Sequence, residues 1–362
     1  MRRITKLMEG WQFTGPDGVT AAVELPHTWN AKDGQDGGND YWRGTCTYRT
    51  CFAAPAYDPD RQQVWLQFEG VNASAAVLLN GRKLCAHDGG YSTFRAEVTE
   101  LLQTENQLTV QVDNSVNDRV YPQKADFTFY GGIYRDVSLL VVSKNHIALG
   151  HLGDTGVKIT PALKENSADI RVETRVEGEG TVTVELLDAE GSTVARAEGE
   201  TAALHLDAPH LWDGVKDPYL YTCIVRLLND GEPVDEVTTR VGIRSFSVDA
   251  QKGFFLNGRP YPLHGVSRHQ DRKGLGNAIT REMHDEDMAL IRELGANTVR
   301  LAHYQHDQYF YDLCDQYGMV VWAEIPYISE HLPNGRENTI SQMKELIHQN
   351  YNHPSIVCWG VS

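Results

Sequence analysis

The 362-residue sequence has no excess of positive charge, no long apolar run and no paired-cysteine motif. Lys and Arg total 33 against 49 Asp and Glu, a net charge of −16. That balance argues against nucleic acid, whose binding rests on Lys and Arg neutralising phosphates. It also disfavours polyanionic sugars and anionic membrane surfaces, so a neutral substrate is expected. Most of the charge serves solubility. No window approaches the length of a membrane-spanning helix. The basic start, Met1-Arg2-Arg3-Ile4-Thr5-Lys6, lacks the apolar stretch of a signal peptide. The six cysteines (46, 51, 85, 223, 314 and 358) form no Cys-x-x-Cys pair, which removes the zinc-knuckle and redox-motif signals. Reduced thiols in a cytoplasmic protein are the expectation, and the Asn72-Ala73-Ser74 triplet then carries no glycan. No internal repeat or low-complexity segment is present.

What is there is enough for ordinary cores, with 41% hydrophobic and 9% aromatic residues, and enough length for two or three domains. Residues 1–145 read as all-β. Val64, Leu66 and Phe68 alternate with Trp65 and Gln67, as do Leu108, Val110 and Val112 with their neighbours. Asn80-Gly81 between apolar segments is a strong hairpin signal, because both turn residues take φ > 0. A jelly-roll β-sandwich is expected. Residues 146–246 are β-rich too, with turns at Glu190-Gly191 and Asp230-Gly231, which fits an immunoglobulin-like sandwich acting as a spacer.

Over 247–362 the pattern changes to alternating strands and helices. Asn257-Gly258 makes a hairpin leading into a first strand over 261–266. Met283, Leu290, Ile291 and Leu294 then mark one helical face, with Thr280 as N-cap and Gly295 as stop. Strands follow at 298–301, 319–323 and 356–359, with helices over 307–317 and 340–351. Such alternation implies a parallel sheet with both faces covered.

Polar residues cluster where a barrel-like sheet has its mouth. His269 follows the first strand, Arg300 and His303 end the second, and Glu324 closes the third. In (β/α)8 barrels the C-terminal strand ends build the active site. Arg300 and Glu324 also fit a buried ion pair plugging the barrel end. His303 and His306 straddle a strand-to-helix turn, a poor arrangement for a metal. His264 is expected inside the first strand, and Asp287 in solvent.

Several motifs together resemble glycoside hydrolase family 2, the β-galactosidase and β-glucuronidase family. Leu25-Pro26-His27-Thr28-Trp29 and Asp40-Tyr41-Trp42-Arg43-Gly44 are similar to the opening of its sugar-binding domain, and Gly131-Gly132-Ile133-Tyr134-Arg135-Asp136-Val137 to that domain's close. Asn297-Thr298-Val299-Arg300-Leu301-Ala302-His303-Tyr304 resembles its first signature. Asn352-His353-Pro354-Ser355-Ile356-Val357-Cys358-Trp359-Gly360 resembles the second. The resemblance implies an incomplete (β/α)8 TIM barrel after two sandwiches. It implies retaining hydrolysis of a β-glycosidic bond, with a β-galactoside as main substrate and a β-glucuronide or β-mannoside as alternative. A non-catalytic carbohydrate-binding protein is a rival that the barrel motifs disfavour.

Carried over by position, His269, Arg300 and His303 contact substrate, and Asp126 reaches across from the first domain to sugar hydroxyls. Asn39 and Asp40 add to that wall, and Glu324 is a pocket carboxylate. The acid/base glutamate is implied just after Ser362 and the nucleophile later, so the 362 residues alone are expected to lack turnover. No cofactor is implied. The magnesium loop of some relatives is replaced around Pro326, with Glu330-His331 at shifted spacing, and a sodium site has no support either. A homo-oligomer is implied for the parent enzyme, and Asp126 favours a neutral sugar over a uronate.

Overall fold

The computed structural model describes residues 1–33 and 41–361. In the first domain the alternating segments pair as expected. A sheet of Arg3–Lys6, Val137–Ser143, Gln62–Phe68 and Phe94–Glu97 faces one of Thr20–Val23, Trp11–Thr14, Thr45–Ala53, Glu105–Asp113, Ser74–Leu79 and Arg82–Asp88. Their inward residues, among them Trp11, Tyr48, Leu66, Phe68, Val77, Leu108 and Val110, form one apolar core. This is the jelly-roll sandwich. Period two holds on Thr45–Ala53, where Cys46, Tyr48, Thr50 and Phe52 are buried. On Gln62–Phe68 it does not hold. Trp65 is buried as well, in a second cluster with Leu140, Val142 and Leu149.

The immunoglobulin-like sandwich has Val157–Leu163, Ser167–Thr174 and Thr201–Asp207 on one sheet and Thr193–Glu198, Thr181–Leu187, Tyr221–Asn229 and Glu232–Val241 on the other. Arg2 ties the chain start to it through Asp235, at 2.6 Å to a fully buried carboxylate.

The third region is an incomplete (β/α)8 barrel. Strand β1 (Gly265–Arg268) leads to helix α1 (Arg281–Glu293), β2 (Thr298–Leu301) to α2 (Gln308–Tyr317), and β3 (Val320–Glu324) to α3 (Arg336–Asn350), which precedes β4 (Ile356–Gly360). All four strands are parallel, in the order β1, β2, β3, β4. Asp307 caps α2 by accepting the Tyr309 N–H, and Gly318 ends it at φ 73°.

Three local readings need correction. The buried stripe of α1 is His284, Met288 and Ile291, while Leu290 and Leu294 are 59% and 74% exposed. An i, i+4, i+7 stripe is a helical face, and a polar histidine heads it here. His264 lies before β1 and is exposed, and Asp287 is held by Arg268 at 2.7 Å and Arg272 at 3.1 Å.

Helix α3 is packed on the jelly roll by polar groups. Asn338 accepts the Tyr121 N–H at 3.0 Å, and Gln349 accepts the N–H of Thr93 at 3.0 Å. Glu345 accepts from Ser92 and contacts His87. These contacts fix the first domain against the barrel beside its mouth. No helix among the described residues is long and apolar enough to cross a membrane.

Candidate active site

Residues on one face of the barrel sheet follow from its register. Ser267 pairs with Arg300, Arg300 with Trp322, and Trp322 with Cys358. His269, Glu324 and Gly360 follow two residues further along their strands, so they continue this face at the C-terminal ends. The opposite face, through Val299, Leu301, Val321, Ala323 and Ile356, is packed in the core under the helices.

Arg300 and Glu324 do form the ion pair, with Nε to Oε1 at 2.5 Å and Nη2 to Oε2 at 3.0 Å. The Glu324 side chain is fully buried, but that of Arg300 is 38% exposed, so the guanidinium still opens onto the mouth. His303 joins them: its Nδ1 lies 3.1 Å from Arg300 Nη2 and 3.2 Å from Glu324 Oε2. Gly360 is required here. A Cβ at that position would stand 2.7 Å from Glu324 Cγ and 2.3 Å from Trp322 Nε1.

His269 lies with its ring 5.5 Å from that of His303. Burial, and then His303, lower its pKa below the ordinary histidine value, so the ring is neutral near pH 7 and offers one donor and one acceptor. Asp126 is exposed, and its charge is among those that act on His269. Its neighbour Phe127 touches both histidines, 5.1 Å from the ring of His269 and 5.8 Å from that of His303. Asp126, His269, Arg300, His303 and Glu324 are thus gathered at one mouth. Asn39 and Asp40 lie outside the described residues.

His306 points away from this mouth. It is fully buried, with Nε2 donating to the Ala302 carbonyl at 3.0 Å and Nδ1 accepting from Arg268 at 3.1 Å. Burial and Arg268 push its pKa well down. His303 and His306 therefore do not face a common ligand. Phe127 and the buried Tyr304 were missed as site residues. Tyr304 sits inside the first signature and Phe127 follows Asp126, and neither falls on a periodic face that would have flagged it.

Two trios among the described residues could hold a cation: His151, Asp154 and His348, and Asp312, Asp315 and His353. In each a carboxylate already has a partner outside the trio, Arg175 on Asp154 and, at 3.1 Å, the Ser355 N–H on Asp315. Glu330 and His331 belong to neither trio. The second trio lines a polar crevice of about 670 Å³ between the three domains, along α2.

Comparison with known proteins completes the picture. Residues 247–362 match the TIM barrel domain of glycosyl hydrolases family 2, residues 151–244 match glycosyl hydrolases family 2, and residues 35–176 match a glycosyl hydrolase 2 galactose-binding domain-like model. A β-glucuronidase of Bacteroides fragilis is 39% identical over 98% of this chain and 55% of its own length. A β-galactosidase of Thermoanaerobacter pseudethanolicus is 29% identical over 98% of this chain and 49% of its own. The crystal structure of an FMN-binding β-glucuronidase from Facaelibacterium prausnitzii L2-6 superposes with a TM-score of 0.97 at 42% identity, covering 100% of this chain and 58% of that one. The chain thus spans about half the length of the curated relatives it matches. With its two sandwiches, its partial barrel and matches that together run from residue 35 to residue 362, the chain belongs to glycosyl hydrolase family 2.

Proposed function

We propose that this chain forms the glycone-binding wall of a retaining β-glycosidase acting on β-glucuronides. The observation that supports it most is the convergence of Arg300, His303, Glu324 and His269 at the C-terminal strand ends, beside a first-domain loop carrying Asp126. In this reading His269 and His303 bond sugar oxygens and Arg300 presents a fixed cation. Glu324 holds Arg300 in place, and Asp126 reaches a hydroxyl at the rim. Bonds that strengthen at the transition state lower the barrier. The two carboxylates of the retaining mechanism, about 5–5.5 Å apart, are assigned to the part of the relatives' length that this chain does not span.

The glucuronide is preferred to the galactoside because a curated relative at 39% identity and a solved structure at 42% are named β-glucuronidases, against one solved structure at 39% named a putative β-galactosidase. The electrostatic objection from Asp126 is weak. That residue is exposed, and in water two unit charges 4 Å apart interact by only about 1 kcal/mol.

A protein of the relatives' full length carrying this chain tests the reading. Its kcat/KM for nitrophenyl β-D-glucuronide should exceed that for the β-D-galactoside at least about 100-fold, because a site built for a polar group rejects the analogue lacking it. A preference for the galactoside would restore the other substrate. Turnover of neither of these, nor of the β-D-mannoside, would remove the glycosidase reading.

A further inference from the structure

We propose that Tyr304 is a positioning residue: its hydroxyl donates to Nδ1 of His269 and fixes that ring as an Nε2–H donor facing the mouth. Tyr304 is 2% exposed, and a buried phenol must place its proton on an acceptor. Its oxygen lies 3.4 Å from the Gln270 backbone nitrogen, which can only donate, and 3.2 Å from His269 Nδ1. Among the described residues, the acceptor within reach of the phenol proton is therefore His269 Nδ1. A neutral imidazole that accepts at Nδ1 carries its hydrogen on Nε2.

Charge does not set this arrangement. Burial, His303 and Arg300 hold the His269 pKa low against Asp271 and Asp126, so what remains to be fixed is the tautomer. The phenol is itself locked from the first domain. Its ring stacks on Tyr91 at 4.3 Å and 10°, and Tyr91 is buried against Tyr134 in a T-shaped contact. Burial raises the pKa of the Tyr304 hydroxyl, which stays protonated and able to donate. The jelly roll thus orients a barrel-mouth donor through Tyr91, Tyr304 and His269. The significance for catalysis rests on the glycosidase reading above; the tautomer does not.

Long-range ¹H–¹⁵N spectra of the ¹⁵N-histidine-labelled 362-residue chain test it, with His269→Gln assigning the resonance. The wild type should show His269 as Nε2–H, and Tyr304→Phe should move it toward a mixture with the Nδ1–H form. An Nδ1–H wild type, or an unchanged spectrum in folded Tyr304→Phe, would overturn the proposal. If Tyr304→Phe does not fold, the wild-type spectrum decides alone. In the full-length protein, Tyr304→Phe should lower kcat/KM for the glycoside about 10-fold. The expected tautomer without any turnover in that protein would remove the glycosidase reading and leave the positioning intact. Turnover with the opposite tautomer would remove the positioning alone.

Discussion

The ring of Phe127 lies 5.8 Å from that of His303 and within 14° of parallel, although the first residue belongs to the jelly roll and the second to the barrel. Phe127 also reaches Tyr304 at 5.5 Å. The mouth is therefore a two-domain structure, and its histidines are packed from outside the barrel. Phe127→Ala in the full-length protein should lower kcat/KM for the glycoside about 10-fold, as aromatic pairs of this kind contribute about 0.5–1.5 kcal/mol beyond area burial. A fall in Tm with unchanged kinetics would show that the contact serves stability alone.

Arg300 shields a carboxylate that has no access to water. Arg300→Ala should leave Glu324 buried beside a single histidine and cost about 1–3 kcal/mol in urea unfolding. Adding Glu324→Gln should recover part of that loss, because a neutral amide needs no counter-charge. Strictly additive losses in the double variant would mean the two side chains are uncoupled.

Gly360 faces Glu324 across the sheet. Gly360→Ala places a methyl group 2.7 Å from Glu324 Cγ, so it should lower Tm and also weaken glycoside turnover by moving the ion pair. Gly191→Ala is the comparison, since a Cβ there meets nothing within 4 Å and its φ of 83° strains a turn far from the mouth. Equal loss of turnover in the two variants would contradict the assignment.

Glu69, in the interface between the jelly roll and the barrel, has its pKa raised from 4.5 to about 7 by burial first and then by Asp136 and Asp307. The folded state thus binds a proton that the unfolded chain releases near pH 4.5. That contribution to stability is full below pH 4.5 and lost as pH rises through 7. Glu69→Gln should therefore match the wild type in Tm at acid pH and exceed it at pH 8. A Tm difference independent of pH would show that folding leaves the Glu69 pKa at its unfolded value.

Much of this fold can be read from local chemistry. Asn80-Gly81 and Asn257-Gly258 take positive φ at both positions, 52° and 78°, and 50° and 74°, as a two-residue hairpin demands. The barrel-mouth residues were visible because polar groups ended successive apolar strands. What stayed hidden depends on contacts between domains. The stripe Asn338, Gln342 and Glu345 of α3 is buried, yet it reads as a solvent face because hydrogen bonds to the jelly roll replace apolar packing. The α1 stripe was misassigned because His284 and Asp287 are engaged by Arg268, and charge alone does not reveal a partner. Phe127 and Tyr304 are legible only once the two domains are placed side by side.

The most direct test of the two-domain mouth is a crystal structure of the full-length protein with a uronic-acid inhibitor bound. The sugar ring should lie within hydrogen-bonding distance of His269 Nε2 and Arg300, with the Asp126 loop closing one side. An inhibitor seated in the polar crevice along α2, or at the mouth without contact to His269 or Arg300, would contradict the account.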